Sequence, residues 1–231
     1  MESGSRQNVV FPSNGGEAHG YLATPPGGTG PGVIVVQEWW GLTDHMADVV
    51  DRLAAEGFVA LAPDLYGGTT THDAEEAGRL MAELPVERAA RDLAGAVDFL
   101  LGHEAVTGER LGAVGFCMGG GFVLQLAADA GERVAACVSF YGVFPHGQPD
   151  FSGLRAEVLG HFGEQDTFTT PEDAAQLEQT IRDQAAVEVQ FHFYPAGHAF
   201  YNDANPLGTH EPDSARLAWL RTLEFLRSRL A

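Results

Sequence analysis

"LGAVGFCMGGGF", residues 111–122, runs from an apolar stretch into a cluster of glycines with a thiol at the corner. Within it, Gly115-Phe116-Cys117-Met118-Gly119 has the spacing of a nucleophile elbow, in which a reactive side chain rides on a sharp strand-to-helix turn. Hydrogen in place of Cβ at 115 and 119 lets strand and helix close on each other and lifts residue 117 to the tip. Cys117 would also open a helix beginning near Met118, where free N–H groups and the helix dipole favour an anion. The thiolate is the nucleophilic form of cysteine. Simple packing is the plain alternative, because cysteine is often buried. A strand before and a helix after tilt the reading towards chemistry. No G-x-S-x-G competes anywhere in the chain, and Cys137, in "VAACVSF", reads as strand core without a role.

Outward from the elbow, short β-branched runs alternate with helical periodicity. "GVIVVQE" (32–38), "FVALAPDL" (58–65), "RLGAVGF" (110–116), "RVAACVSFYG" (133–142), "AEVLGHFG" (156–163) and "VEVQFHFYP" (187–195) read as strands. Helices are expected over 43–57, with Thr43 as N-cap, and over "DAEEAGRLMAEL", "VERAARDLAGAVDFLLG", "GGFVLQLAADAG" and "PEDAAQLEQTIRDQ". A last amphipathic helix follows in "EPDSARLAWLRTLEFLRSRL", with Pro212 in its first turn. The first residues are expected to form a short antiparallel strand or hairpin, with "AHGYLAT" as its second strand and the Pro/Gly run 24–32 as its turn. Alternation of this kind predicts an α/β fold: a single domain over 1–231, with a mostly parallel twisted sheet covered by helices on both faces.

Bulk properties narrow the function. With 13 basic and 32 acidic residues the net charge is −19, which repels phosphate backbones and anionic lipid. Neither nucleic acid nor a membrane is expected as a partner, and a monomer or small homo-oligomer is. Two cysteines, both in apolar segments, suit a reducing compartment. The N-terminal stretch lacks the basic start and apolar run of a leader. No run of about 18 apolar residues occurs to span a bilayer. A cytoplasmic protein is the expectation.

In parallel sheets, chemistry collects just beyond the carboxyl ends of the strands. Glu38, Cys117, Asp166 and His198 each follow a predicted strand end. A thiol on an elbow needs a histidine, and the histidine needs an acid to fix its tautomer. Of nine histidines, His198 in "PAGHAF" is the one directly after a strand in a glycine-containing loop. His45, early in a helix, could border the pocket. For the acid, "HFGEQD" offers Asp166, with Glu164 as its rival. No H-x-x-x-H or C-x-x-C pair suggests a metal, and no cofactor is required.

These residues together resemble the dienelactone hydrolase (carboxymethylenebutenolidase) family of the α/β-hydrolase fold. The resemblance runs over roughly 17–230 and rests on "VVQEWWGL", "DRLAAEGFVALAPDLYGG", "GAVGFCMGG", "SFYG", "HFGEQD" and "YPAGHAFYND". It implies a triad of Cys117, Asp166 and His198. It further implies that Glu38 holds the resting thiol and that the N–H groups of Trp39 and Met118 form an oxyanion hole. One departure concerns the substrate: family members that bind an anionic lactone hold its carboxylate with two arginines. Asn202 stands at one of those positions here, and near the other the chain offers only Arg79. An aromatic pocket of Trp40, Tyr141 and Phe200 beside Trp39 then suits a neutral ester or lactone. A cysteine-dependent hydrolase of small esters or lactones is the expectation; a non-catalytic small-molecule binder and a thiol redox sensor are the alternatives.

Overall fold

The computed structural model describes residues 6–13 and 15–230; the first five residues, on which part of the leader expectation rests, lie outside the described residues. Eight strands form one sheet: β1 (Val9–Ser13), β2 (Gly16–Ala23), β3 (Gly30–Val36), β4 (Val59–Pro63), β5 (Val106–Phe116), β6 (Val134–Phe140), β7 (Glu157–Gly163) and β8 (Val189–Tyr194). Six α-helices accompany them: α1 (Asp44–Ala55), α2 (Ala74–Glu83), α3 (Val86–Leu101), α4 (Met118–Ala130), α5 (Pro171–Gln184) and α6 (Pro212–Leu230). The strand order is β1-β2-β4-β3-β5-β6-β7-β8, antiparallel through the first three and parallel thereafter. This is the mainly parallel, helix-covered architecture of an α/β hydrolase.

The sequence shows why each face is covered. All seven residues of β6 and the last six of β5 are buried, as a strand with helices on both sides requires. Gly112 and Gly115 point to opposite faces of β5. A Cβ at 112 would meet Leu226 and Leu230 of α6, and one at 115 would meet α4. Among the described residues no helix is long and apolar enough to cross a membrane.

Two local expectations are corrected. The Pro/Gly run does not close a hairpin: β2 pairs with β4, so this segment carries the chain past β4 to begin β3. The hairpin partner of β2 is β1, with Ser13 opposite Gly16. Thr43 does precede α1 in extended backbone, but its side chain makes no capping bond. Asp73 and Thr170 do cap, the latter in a reciprocal box with Asp173.

β3 has β4 on one side and β5 on the other, so the order of connection reverses there. A crevice opens at such a switch point, beyond the carboxyl ends of the strands. The loop carrying Glu38 and Trp39 leaves β3, and Cys117 follows β5, so both border it.

Candidate active site

Cys117 has φ 53° and ψ −119°, a conformation that costs a side-chain-bearing residue energy and persists only where its surroundings impose it. The surroundings are visible. An added Cβ on Gly115 would lie 2.0 Å from the Gly119 carbonyl oxygen, and one on Gly119 would lie 2.3 Å from that of Val36. Only glycine permits this approach of β5, α4 and the end of β3. The Cys117 N–H donates to Phe140 O (3.0 Å), while its carbonyl accepts from Gly120 (2.9 Å) and Val143 (3.0 Å). The corner is thus bolted to β6 and its following loop. Neither Met118 N–H nor Trp39 N–H has an acceptor among the described residues. Two free donors therefore flank the thiol, one opening α4 and one following β3.

His198 comes from the loop after β8 and Asp166 from the turn after β7. Their loops are tied together, since Gln165 N–H donates to Ala196 O (2.9 Å). His198 Nδ1 and Asp166 Oδ2 are 2.7 Å apart, and both residues are 4% exposed. The other oxygen, Oδ1, accepts the N–H groups of Phe168 (2.7 Å) and Thr169 (3.0 Å), which fixes the carboxylate. Glu164, the rival acid, is exposed.

The His198 Nε2 is buried without a hydrogen-bond partner of good geometry. Burial opposes charge on this ring, but the bond to Asp166 and the adjoining Cys117 sulfur outweigh it and raise its pKa to about 10.

Glu38 is 1% exposed, and its partners differ from the sequence expectation. Oε2 accepts Asn202 Nδ2 at 2.5 Å, and Oε1 accepts the Tyr141 hydroxyl at 3.3 Å. Neither oxygen bonds the resting thiol. Burial pushes the Glu38 pKa upward, against the pull of His45, Asn202, His198 and Tyr141.

The cavity over the thiol has a volume of about 240 Å³ and is lined by Trp39, Met81, Cys117, Val143, Phe144, Pro145, Phe168 and His198. The pocket expected from sequence is corrected accordingly. Trp40, Tyr141 and Phe200 are buried behind this wall and do not line it; Tyr141 packs edge-on against both His198 and Phe200. Asn202 is spent on Glu38. Arg79 lies on the outer side of α2, bridged to Glu76 (2.6 Å) and Glu83, while Met81 faces the cavity. His45 is buried against Asp203, away from the lining. The lining contains no arginine or lysine. Sequence reasoning missed Val143, Phe144 and Pro145, although they follow a strand end (β6) and fell under the same positional rule.

Among the described residues no group of three or more His, Cys, Asp or Glu is arranged to hold a metal. Cys137 is buried within β6, donates to Val123 O (3.4 Å) and has its pKa raised by burial.

The family model for the dienelactone hydrolase family matches residues 18–230. Protein usf of Aquifex pyrophilus is 32% identical, the match covering 97% of this chain and 99% of that protein. Carboxymethylenebutenolidase of Pseudomonas sp. strain P51 is 30% identical over 92% of this chain and 91% of its own length. Among solved structures, the dienelactone hydrolase-like promiscuous phosphotriesterase P91 from metagenomic libraries superposes with a TM-score of 0.84. It is 26% identical, and the match covers 98% of both chains.

Proposed function

The chain belongs to the dienelactone hydrolase family and is a hydrolase of carboxylic esters or lactones, and we propose that it turns over small uncharged substrates through an acyl-thioester on Cys117. The observation that carries the reading is the His198–Asp166 bond of 2.7 Å beside a thiol in the same cavity. Asp166 fixes the ring's tautomer and leaves Nε2 free for proton traffic.

With its pKa raised to about 10, His198 takes and holds the proton of Cys117, and the thiolate so formed is the nucleophile. The thiolate attacks the substrate carbonyl carbon, and the carbonyl electrons move onto oxygen. The free N–H groups of Met118 and Trp39 donate to that oxyanion; losing one such donor costs roughly 3–4 kcal/mol in comparable sites. Collapse expels the alkoxide or enolate, which takes the proton from His198. Water then gives a proton back to His198 and attacks the thioester. The second collapse releases the acid and restores the thiolate. Glu38 stands close enough to bear on the His198 charge.

The lining favours uncharged substrates. Apart from Cys117 and His198 it is Trp39, Met81, Val143, Phe144, Pro145 and Phe168, and no arginine or lysine waits for a substrate carboxylate.

The test compares wild type with Cys117→Ala on p-nitrophenyl acetate, an uncharged lactone and a carboxylate-bearing lactone. Expected are loss of turnover in the variant, an acylated wild-type protein by mass spectrometry, and preference for the uncharged pair. Equal rates in the two proteins rule out the mechanism. Turnover of the carboxylate-bearing lactone alone rules out the substrate class.

A further inference from the structure

β8 is the last strand of the sheet, and it pairs with β7 in one uninterrupted parallel register from Val158↔Val189 to Gly163↔Tyr194. The carbonyls of Glu188 and Tyr194 accept from Val158 N–H (2.9 Å) and Glu164 N–H (2.8 Å), so the even-numbered residues turn their backbone groups towards β7. By alternation the N–H and C=O groups of Val189, Phe191 and Phe193 point off the sheet. Among the described residues one of these groups has a partner: the Val189 carbonyl, which accepts from Arg182 of α5. Free edges are commonly blunted by proline, lysine or a bulge. β1, at the opposite edge, carries Pro12, whereas Val189–Tyr194 has none of these.

The two faces of the strand differ. On the α5 side Val189, Phe191 and Phe193 form an apolar row; both phenylalanines pack on Phe162 (ring centres 4.9 and 6.2 Å away), and Phe193 is 37% exposed. On the α6 side Gln190 and His192 line a groove of about 430 Å³ with Arg221, Glu224 and Phe225. Neither the Gln190 amide nor the His192 ring has a hydrogen-bond partner among the described residues. Arg221 donates to the Tyr194 hydroxyl (3.0 Å) and lies over that ring (5.5 Å), again with no acidic partner among the described residues. Leu217 and Leu220, both exposed, stand within one turn of it on α6. At the other end of the strand Glu188 lies 3.7 Å from Arg229 of α6, which places it on the same face, and its side chain is 68% exposed.

We propose that β8 is the seat of a homodimer, in which a second copy adds its own β8 antiparallel across a two-fold axis perpendicular to the sheet at Phe191. Pairing outward from Phe191 on Phe191 sets Val189 against Phe193 of the second copy, so the apolar row continues unbroken. On the α6 side the same register sets Gln190 against His192, an amide against an imidazole, each without a partner in its own chain. It sets Glu188 against Tyr194, the ring that carries the Arg221 guanidinium. Each copy thus offers the other the acid its arginine lacks, and symmetry makes every contact twice. Neighbouring registers lose this match. One puts Val189 against Pro195, which has no N–H to donate, and His192 against His192; the other puts Gln190 against Gln190 and takes Phe193 to Val187, outside β8. With −19 on each copy, two molecules repel unless the contact is matched in charge, and Arg221 facing Glu188 supplies that match.

Sedimentation velocity of the full chain over a wide concentration range tests the pairing. Wild type is expected to run as a dimer that dissociates on dilution. Phe193→Lys puts a charge into the apolar row, and Arg221→Glu sets like charges face to face; each should raise the dimer Kd at least about tenfold. Glu188→Arg alone should also weaken the dimer, and Arg221→Glu combined with Glu188→Arg should bind more tightly than either single variant, because the swapped charges meet again across the axis. A wild-type protein that stays monomeric overturns the proposal and leaves the edge to a different partner. A dimer whose Kd ignores these changes, or a double variant that merely adds the two losses, overturns it as well. If the variants do not hold their fold, hydrogen exchange on the wild-type protein decides. The Phe191 and Phe193 N–H groups must gain protection as protein concentration rises, while those of Gln190 and His192, turned to β7, stay protected throughout. Exchange at 191 and 193 that is independent of concentration refutes the interface.

Discussion

Gly119→Ala puts the elbow's steric reasoning at risk with one methyl group. The new Cβ would lie 2.3 Å from Val36 O and 2.5 Å from Gln37 O, both backbone atoms that no rotamer change can move. To restore an ordinary 3.4 Å contact, α4 and the end of β3 must part by about 1 Å. That displacement falls between the two free N–H donors, since Met118 opens α4 and Trp39 stands two residues past Gln37. Misplacement by about 1 Å at a reacting centre can cost about 100-fold in rate, equivalent to about 2.7 kcal/mol. Overpacking of this kind also destabilises by about 1–3 kcal/mol. Steady-state kinetics on p-nitrophenyl acetate, with circular dichroism and urea melts, separate the two effects. The expected result is a folded protein with kcat down about two orders of magnitude and KM changed far less. Gly27→Ala is the control, because a Cβ there meets nothing within 4 Å, and it should behave as wild type. A Gly119→Ala enzyme with kcat within about threefold of wild type would refute the argument that this contact sets the donors.

Two further outcomes are expected. Phe144, with Val143 and Pro145, separates the thiol cavity from a smaller one of about 40 Å³ that Met118, Gly121 and Phe122 help to line. Phe144→Ala should join the two and raise kcat/KM for p-nitrophenyl hexanoate relative to acetate; an unchanged ratio refutes the partition. His161 is fully buried with both ring nitrogens engaged, by Tyr194 (2.8 Å) and Thr222 (3.0 Å), and burial holds its pKa well below the usual value. The unfolded ring takes a proton near pH 6.5 and the folded ring does not. Stability is therefore full above about pH 6.5 and falls as pH drops, by up to about 1.4 kcal/mol per unit from this group. Urea melts at pH 7 and 5.5 should show the loss, and His161→Gln should flatten it; equal midpoints for the wild-type protein at both pH values contradict the linkage.

The strands, the helices and the residues at the strand ends were legible because their signals are local. Burial on two faces writes β6 as an unbroken apolar run, and crowding at the corner writes Gly115 and Gly119 around Cys117. The strand-end rule led to Asp166 and His198 for the same reason. Pocket walls are written less plainly, since their membership depends on which way a side chain turns. Trp39 and Trp40 are neighbours with similar rings, yet one lines the cavity and the other is buried behind it. Arg79 and Met81 share a helix, and its phase sends the arginine outward to two glutamates. The partners of Glu38 were illegible for another reason: Asn202 stands 164 residues away, and only the closed sheet brings them together.

The loop from His198 to Asp203 is where these separate facts become one constraint. It supplies the imidazole beside the thiol, the amide that holds Glu38 and the carboxylate that holds His45. Its backbone is braced to match: Ala199 has φ 59°, Asn202 N–H donates to Ala199 O (3.0 Å), and the Thr209 hydroxyl donates to His198 O. A shift of this loop cannot move the base without also moving the amide that holds Glu38. In a chain of net charge −19, with no arginine or lysine in the cavity lining, the positive charge beside the thiol falls to His198, whose pKa is raised to about 10. The proposed reactivity of Cys117 is then tied to the protonation of His198 rather than to a fixed cation. An arginine there would stay charged at any pH, whereas an imidazole makes the positive charge conditional on it.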